Sequence, residues 1–206
     1  MSSGRTVAEL LKHDSTQLQA ALNIDFSSER IEVQCLLQAV LQVNRAWLLT
    51  HPEQPLNPDQ QTRYAALFER RLRGEPIAYL LGEREFYGLT FKVSPATLIP
   101  RPDTELLVEQ ALQRIPPQPC RVLDLGTGSG AIALAIASER PTWHIQAYDT
   151  SDAALQVARQ NALDLKLTQI EFGQSNWFQS IPSKAYHAII SNPPYVRTQH
   201  LGADKA

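Results

Sequence analysis

The sequence predicts an α/β fold in which a parallel β-sheet with flanking helices follows a small helical bundle. Three observations carry this prediction. Apolar residues recur at helical spacing through the first 80 residues, short apolar strands alternate with helical segments from residue 103 onward, and a glycine-rich loop joins the first of those strands to a helix. Strands and helices that alternate at these lengths form βαβ units, in which the strands pair in parallel. We therefore expect a helical domain at 1–80, a β-hairpin and linker at 81–102, and an α/β domain at 103–206.

The composition is that of an ordinary globular protein. Of the 206 residues, 43% are hydrophobic and 19% are charged, which argues against global disorder. The longest nearly apolar stretch, residues 131–137, is far shorter than the ~20 residues that a membrane helix needs. No secretory apolar segment follows Met1, so we expect a cytoplasmic protein with no membrane partner. The formal charge of −2 predicts no direct binding to nucleic acid.

Neither the cysteines nor the histidines form a recognisable metal or disulfide pattern. Cys35 and Cys120 are far apart, and each lies in or next to an apolar segment, so we interpret both as small buried residues. The five histidines have no metal-ligand spacing among themselves or with the cysteines. We therefore expect no metal site.

Three helices are predicted in the first domain. Apolar residues at i, i+3 and i+4 from Val7 predict the first helix, and residues 31–41 carry a second apolar face. A third helix opens at Asn57 or Asp59, since either side chain can cap it, and it ends at Gly74, where glycine can adopt the left-handed conformation. These segments predict a small bundle.

A change in character near residue 80 predicts the hairpin and the linker. Residues 85–93 are rich in aromatic and β-branched side chains around Gly88-Leu89, which is typical of a β-hairpin. Residues 94–102 contain three prolines and read as a structured connector.

The remaining strands and helices alternate as far as the third strand. A helix is expected around 106–112 before the first strand, and one helix separates the first strand from the second and the second from the third. The expected strands are 121–125, 144–148, 170–172 and 186–191, and the expected intervening helices are 131–140 and 153–163.

The loop after the first parallel strand has the spacing G-x-G-x-G. Gly126, Gly128 and Gly130 let the backbone turn sharply, and a ligand can lie against it because no Cβ intervenes. Dinucleotide-binding loops place their third glycine one residue later, so this spacing fits a ligand without a pyrophosphate. The alternative is a purely structural turn.

Asp149 ends the second parallel strand, about 20 residues beyond the loop. A carboxylate at this place can accept hydrogen bonds from ribose hydroxyls. It could instead cap the following helix, but Thr150, Ser151 and Asp152 are all available for capping. The loop and Asp149 together predict an adenosine-binding site.

The segment Asn192-Pro193-Pro194-Tyr195 follows the apolar strand 188–190. The prolines end the strand, which leaves Asn192 at the sheet edge where ligands bind in open α/β sheets. An amide or aromatic amine nitrogen is a poor nucleophile because its lone pair is delocalised. Hydrogen-bond acceptors on Asn192 and Pro193 would orient that lone pair toward a methyl donor, and Tyr195 would stack on a planar group. The alternative is an ordinary strand-ending turn.

Two stretches carry a resemblance to a known family. The residues REFY at 84–87 and VSPATLIPRPDTE at 93–105 resemble the linker signature of the release factor glutamine methyltransferases. The glycine loop and the NPPY segment match the same family in order and spacing, so the likeness covers nearly the whole chain. The fold that it implies is a Rossmann-like class I methyltransferase domain preceded by a small helical bundle.

The resemblance implies a function and a role for each motif. The reaction would be methyl transfer from S-adenosylmethionine to the side-chain amide nitrogen of the glutamine in the GGQ motif of class 1 peptide chain release factors. The N-terminal helices at 1–80 would recognise the release factor. The implied cofactor-binding residues are Gly126, Thr127, Gly128, Ser129 and Gly130 at the methionine part, Asp149 at the ribose, Trp177 at the adenine and Asn192 at the methyl group.

The implied substrate-binding residues are Asn192, Pro193, Pro194 and Tyr195, of which Asn192, Pro193 and Tyr195 are the expected catalytic groups.

Two departures from the family pattern lead to further expectations. The family has an acid just before the tryptophan, whereas this sequence has Asn176, which predicts weakened cofactor binding. The family also continues well beyond NPPY, whereas this sequence stops at Ala206. A methyltransferase domain truncated in this way would leave a sheet edge unpaired, so we expect lowered stability and reduced activity.

Two alternatives remain open at this point. An adenine-N6 DNA methyltransferase would use the same NPPY chemistry on a flipped base. The charge of −2 argues against it, and Arg70, Arg71 and Arg73 fit a helix end better than a DNA-binding stripe. The second alternative is a non-catalytic remnant that binds release factor, cofactor or neither.

Overall fold

The computed structural model describes residues 4–22, 26–182 and 185–193, and of residues 26–28 only the backbone. The chain divides into two compact units, residues 1–82 and residues 83–206. In the described part of the chain, no helix is both long and apolar enough to cross a membrane.

The first unit is helical. Its first three helices are α1 (Val7–Leu22), α2 (Phe26–Leu41) and α3 (Arg45–Thr50), and two more follow as α4 (Pro58–Leu72) and α5 (Ile77–Leu81). The apolar faces of α1, α2 and α4 pack together around fully buried leucines and valines.

Helix α4 confirms the predicted start and end signals. The Asn57 side chain accepts the N–H of Gln60, and the Gln60 side chain accepts the N–H of Asn57, which forms a capping box. Gly74 follows the end of the helix with φ of 91°.

A buried carboxylate ties α1 to α4. Asp14 is 1% exposed, and its two oxygens accept hydrogen bonds from Arg5 and from the Tyr64 hydroxyl, the latter at 2.9 Å. Burial, followed by the charge of Asp14, raises the pKa of Tyr64, so Tyr64 stays protonated and donates. The hydrogen bonds from Arg5 and Tyr64 stabilise the Asp14 carboxylate, whose charge would otherwise be costly inside the bundle.

The second unit begins with an antiparallel hairpin, β1 (Glu83–Phe86) and β2 (Leu89–Lys92). The hairpin is confirmed, but its turn is centred on Tyr87 and Gly88, one residue earlier than predicted. Both residues have positive φ, 53° and 72°, as a two-residue primed turn requires. The N–H of Tyr87 donates to Glu105 at 3.0 Å, which holds a non-glycine residue in this conformation.

A four-stranded parallel sheet and its helices follow the hairpin in this unit. In chain order they are α6 (Glu105–Arg114), β3 (Arg121–Leu125), α7 (Ala131–Glu139), β4 (His144–Asp149), α8 (Asp152–Asp164), β5 (Glu171–Gln174) and β6 (Ala188–Ser191). The strand order is β5-β4-β3-β6. The predicted α/β alternation is confirmed, although β6 begins two residues later than expected. In the described residues β6 pairs only with β3, and Ile189 on it is 52% exposed.

Asn161 on α8 joins the hairpin to the glycine loop. Its Oδ1 accepts the N–H of Lys92 at 2.7 Å, and its Nδ2 donates to the carbonyls of Lys92 at 3.0 Å and Ser129 at 2.9 Å. The side chain is 1% exposed, so these three bonds replace water at buried backbone groups. Asn161 thus holds β2 and the loop against the same helix.

We expect Asn161→Leu to destabilise the protein by about 2–4 kcal/mol. Leucine has a similar volume, but it leaves the Lys92 and Ser129 backbone groups buried without partners. The free energy of unfolding in urea measures the change. Gln160→Leu is the matched control, since Gln160 is exposed and its side chain donates, among the described residues, to Asp164 alone; it should change stability by less than about 0.5 kcal/mol. Equal effects of the two substitutions would contradict this assignment.

Candidate active site

Three parallel strands end at the same edge of the sheet and open a cavity of about 390 Å³. Leu125 on β3 lies opposite Tyr148 on β4 and Ser191 on β6, so the segments that follow each strand meet at this edge. Residues 96–98 of the connector and Trp177 complete the wall. This is the edge at which open α/β sheets bind ligands.

The glycine loop is fixed to the neighbouring strand by its own backbone. The N–H groups of Gly126 and Thr127 both donate to the carbonyl of Tyr148, at 2.8 and 3.0 Å. Gly126 and Gly128 line the cavity, and a Cβ on either would meet no protein atom within 4 Å. The open space above the loop can therefore take a ligand in close contact with the backbone.

Thr127, Ser129 and Gly130 do not line this cavity. The Thr127 hydroxyl donates to Asp124 at 2.7 Å, and Ser129 is buried with its carbonyl bonded to Asn161. Gly130 packs against Ala158, whose Cβ would be 3.2 Å from an added methyl group. The geometry offers no support for direct cofactor contacts from these three residues, which instead shape the loop.

Asp124 is a buried acid beneath the loop that was not predicted from the sequence as a site residue. Burial raises its pKa to about 6 from 3.8, the Thr127 hydrogen bond and the N–H of Ala133 lower it, and the charge of Asp149 raises it. Its Oδ1 has no hydrogen-bond partner in the described residues. The available signal was a charged residue inside the otherwise apolar strand at 122–125.

Asp149 faces the cavity and also supports the loop. Its Oδ2 accepts the N–H of Gly128 and its Oδ1 accepts the N–H of Ser151, both at 2.9 Å. Helix α8 is capped by the Ser151 hydroxyl, which accepts from Ala154 at 3.2 Å, so the helix does not depend on Asp149 for its side-chain cap. Each carboxylate oxygen retains a lone pair for a hydroxyl in the cavity.

Trp177 lies at the cavity wall in a left-handed conformation, with φ of 50°. The Ser175 hydroxyl donates to the Trp177 carbonyl at 2.7 Å and accepts the N–H of Ser180 at 3.0 Å, which stabilises this turn. The indole is 56% exposed, and Asn176 does not line the cavity. A strained backbone that presents an exposed aromatic ring to a cavity is typical of a binding site.

Asn192 and Pro193 stand at the end of β6, on the opposite wall. The Asn192 Nδ2 donates to the Thr104 hydroxyl at 3.1 Å, and the preceding Ser191 hydroxyl donates to the carbonyl of Leu125 at 2.8 Å. Pro194 and Tyr195, predicted to bind the substrate, lie outside the described residues.

A second groove of about 830 Å³ adjoins the first cavity. It is lined by Leu98, Ser191 and Asn192, which also line the first cavity, and by residues of the connector and α6. Asn192 therefore lies where the two spaces meet. The sequence predicted a structured connector and a family signature here, but not that the connector lines both spaces.

The sheet, its glycine loop and the acid at the end of the next strand define the class of Rossmann-like S-adenosylmethionine-dependent methyltransferases. Residues 9–82 match the family model of the PrmC N-terminal domain, and residues 102–205 match that of the Methyltransferase small domain.

The relatives agree with these matches. The release factor glutamine methyltransferase of Coxiella burnetii (strain RSA 493 / Nine Mile phase I) is 46% identical over 199 residues, 95% of this chain and 70% of that protein. The protein of the same name from Escherichia coli (strain K12) is 49% identical over 189 residues, 92% of this chain and 66% of that protein. The chain belongs to the release factor glutamine methyltransferase family, and it spans about two thirds of the length of these relatives.

Among solved structures, the SAM dependent methyltransferase from Agrobacterium tumefaciens is similar to 54% of this chain and 39% of its own, with 18% identity and a TM-score of 0.47.

Gly128→Ala and Gly130→Ala should distinguish a glycine that leaves room for a ligand from one that leaves room for helix packing. Both glycines have left-handed φ, 56° and 82°, so alanine costs about 1 kcal/mol of strain at either. At Gly130 the new Cβ would also lie 2.9 Å from Leu134 and 3.2 Å from Ala158. Beyond this strain, we expect Gly130→Ala to lose about 1–3 kcal/mol more of stability than Gly128→Ala does. We expect Gly128→Ala to lose more affinity for S-adenosylmethionine than Gly130→Ala does. Urea denaturation and calorimetric titration measure the two effects, and a reversed order would contradict the geometry.

Asp124→Asn should change how stability depends on pH. The pKa of Asp124 is raised to about 6, so between about pH 4 and 6 the folded protein holds a proton that the unfolded chain releases. The resulting stabilisation is complete below about pH 4 and is lost as pH rises through 6. Relative to the parent, the free energy of unfolding of the variant should therefore rise by up to about 3 kcal/mol from pH 4 to pH 7. Urea denaturation across this range tests the sign, and a difference independent of pH would refute it.

Proposed function

We propose that this chain transfers a methyl group from S-adenosylmethionine to the side-chain amide nitrogen of the glutamine in the GGQ motif of class 1 peptide chain release factors. The observation that carries the proposal is the place of Asn192, where a cavity walled by the glycine loop meets a second groove. Family membership supplies the substrate class, since the relatives are named for release factor glutamine.

The first cavity and its surroundings fit the cofactor on four counts. Gly126 and Gly128 leave space that any side chain would fill, and Asp149 presents a carboxylate at the place where a ribose would lie. Trp177 offers an exposed ring for the adenine. The buried acid Asp124, close below the loop, favours a ligand with positive charge, which S-adenosylmethionine carries on its sulfur and amino groups.

The chain's own residues would act on the acceptor nitrogen. When bound, S-adenosylmethionine supplies a methyl group on a sulfonium, and its transfer to nitrogen leaves a neutral thioether and releases one amide proton to solvent. Asn192 and Pro193 each carry a carbonyl oxygen that can accept an N–H of the substrate amide. Two such acceptors would orient the nitrogen lone pair and stabilise the positive charge that develops on nitrogen in the transition state.

The second groove favours a protein substrate over DNA. Its wall carries Arg101 and Asp103, whose charges offset each other, beside the apolar Leu106 and Leu107. A groove that tracks a phosphate backbone would instead need an excess of basic side chains. A wall that mixes charged and apolar side chains suits a peptide loop. A release factor is also a partner that accords with the expected cytoplasmic location.

Asn192→Ala should separate methyl transfer from cofactor binding. We expect transfer of labelled methyl groups to a release factor to fall by at least about 100-fold, because the acceptor for the substrate N–H is lost. Calorimetric affinity for S-adenosylmethionine should change by less than about fivefold. Full transfer by the variant would contradict the role of Asn192.

Asp149→Asn is the complementary variant, and it should weaken cofactor binding by about tenfold or more. Asp152→Asn is its matched control, because Asp152 is exposed on the next turn and does not line the cavity. A DNA duplex offered in the same transfer assay tests the DNA methyltransferase alternative. Cofactor binding without transfer to either substrate would support the non-catalytic alternative.

A further inference from the structure

The amide of Asn192 is held by a hydroxyl that belongs to no motif assigned to catalysis. Its Nδ2 donates to the Thr104 Oγ1 at 3.1 Å across 88 residues of sequence. Thr104 lines the second groove but not the cofactor cavity, so it approaches Asn192 from the side proposed for the substrate.

The backbone on both sides of this contact is fixed. Asn192 follows β6, which pairs with β3 and is tied to Leu125 through the Ser191 hydroxyl at 2.8 Å. Thr104 ends a 3₁₀ turn in which its N–H donates to Arg101 at 2.9 Å. With the backbone fixed, the Asn192 amide can still rotate about its side-chain bonds, and the Thr104 hydroxyl is one of the groups that restrain this rotation.

Rotation matters because the two ends of an amide have opposite chemistry. An NH₂ group donates, whereas the carbonyl oxygen accepts, and a half-turn exchanges the two. Orienting a substrate amide requires an acceptor, so Oδ1 has to be presented to it. With Nδ2 turned to Thr104, Oδ1 is the end turned away from Thr104.

We propose that Thr104 is a positioning residue for methyl transfer, which acts by fixing the orientation of the Asn192 amide. This inference rests on the proposed function, because it assigns Thr104 a part in that reaction. Thr104 itself does not contact the reacting atoms in this scheme.

Thr104→Val and Thr104→Ser test the proposal in the methyl-transfer assay. Valine keeps the shape and removes the acceptor, whereas serine retains the hydroxyl. We expect kcat on release factor to fall about tenfold in Thr104→Val and to stay within about twofold in Thr104→Ser. The affinity for S-adenosylmethionine and the melting temperature should be unchanged in both. In an Asn192→Ala background, Thr104→Val should cause no further loss, and an additive loss would overturn the proposal.

A second measurement is independent of turnover. The NH₂ resonances of Asn192 are identified in a ¹⁵N–¹H spectrum as the pair that Asn192→Asp removes. We expect this pair to shift and to exchange faster with solvent in Thr104→Val, and to remain near its parent position in Thr104→Ser. An unmoved pair in Thr104→Val would overturn the inference. If the parent chain transfers no methyl group, the proposed function fails, and the amide resonances still decide whether Thr104 orients Asn192.

Discussion

The site depends on the parallel pairing of β3 with β4 on one side and β6 on the other. Because Leu125 lies opposite both Tyr148 and Ser191, the glycine loop, Asp149 and Asn192 all begin at one edge of the sheet. The Tyr148 carbonyl then accepts two N–H groups of the loop, at 2.8 and 3.0 Å. A change of one residue in this register would move Asn192 away from the cavity at the glycine loop and would turn buried side chains to the opposite face of the sheet.

Residues 93–105, which lead from the hairpin to the start of α6, are the second constraint on the same site. Glu105 accepts the N–H of Tyr87 at the hairpin turn, and the Thr104 hydroxyl accepts an N–H of the Asn192 amide. Residues 96–98 reach the cavity wall from this segment. The stretch that carries the family resemblance therefore contributes to the walls of the site and to its hydrogen bonds.

Two acids below and beside the loop have different environments. Asp149 is partly exposed and accepts two backbone N–H groups, whereas Asp124 is buried and its pKa is raised to about 6. The charge of Asp149 contributes to that rise. Burial of Asp124 and the nearby charge of Asp149 together make a negative charge on Asp124 costly in the folded protein.

The sequence by itself determined the α/β class, the hairpin, the order of the strands along the chain and the motifs at 126–130, 149 and 192–193. These features are local, since they follow from hydrophobic periodicity, glycine spacing and proline. The tertiary structure decided which loop residues face the cavity: Gly126 and Gly128 do, whereas Thr127 and Ser129 turn inward to buried partners. It also decided that Thr104 meets Asn192, and that Asp124 is buried with no partner for its Oδ1 among the residues that the structure describes. The contacts of Asn161 with Ser129 and of Thr104 with Asn192 join residues far apart in sequence, and no local pattern encodes the order of the strands in the sheet that brings them together.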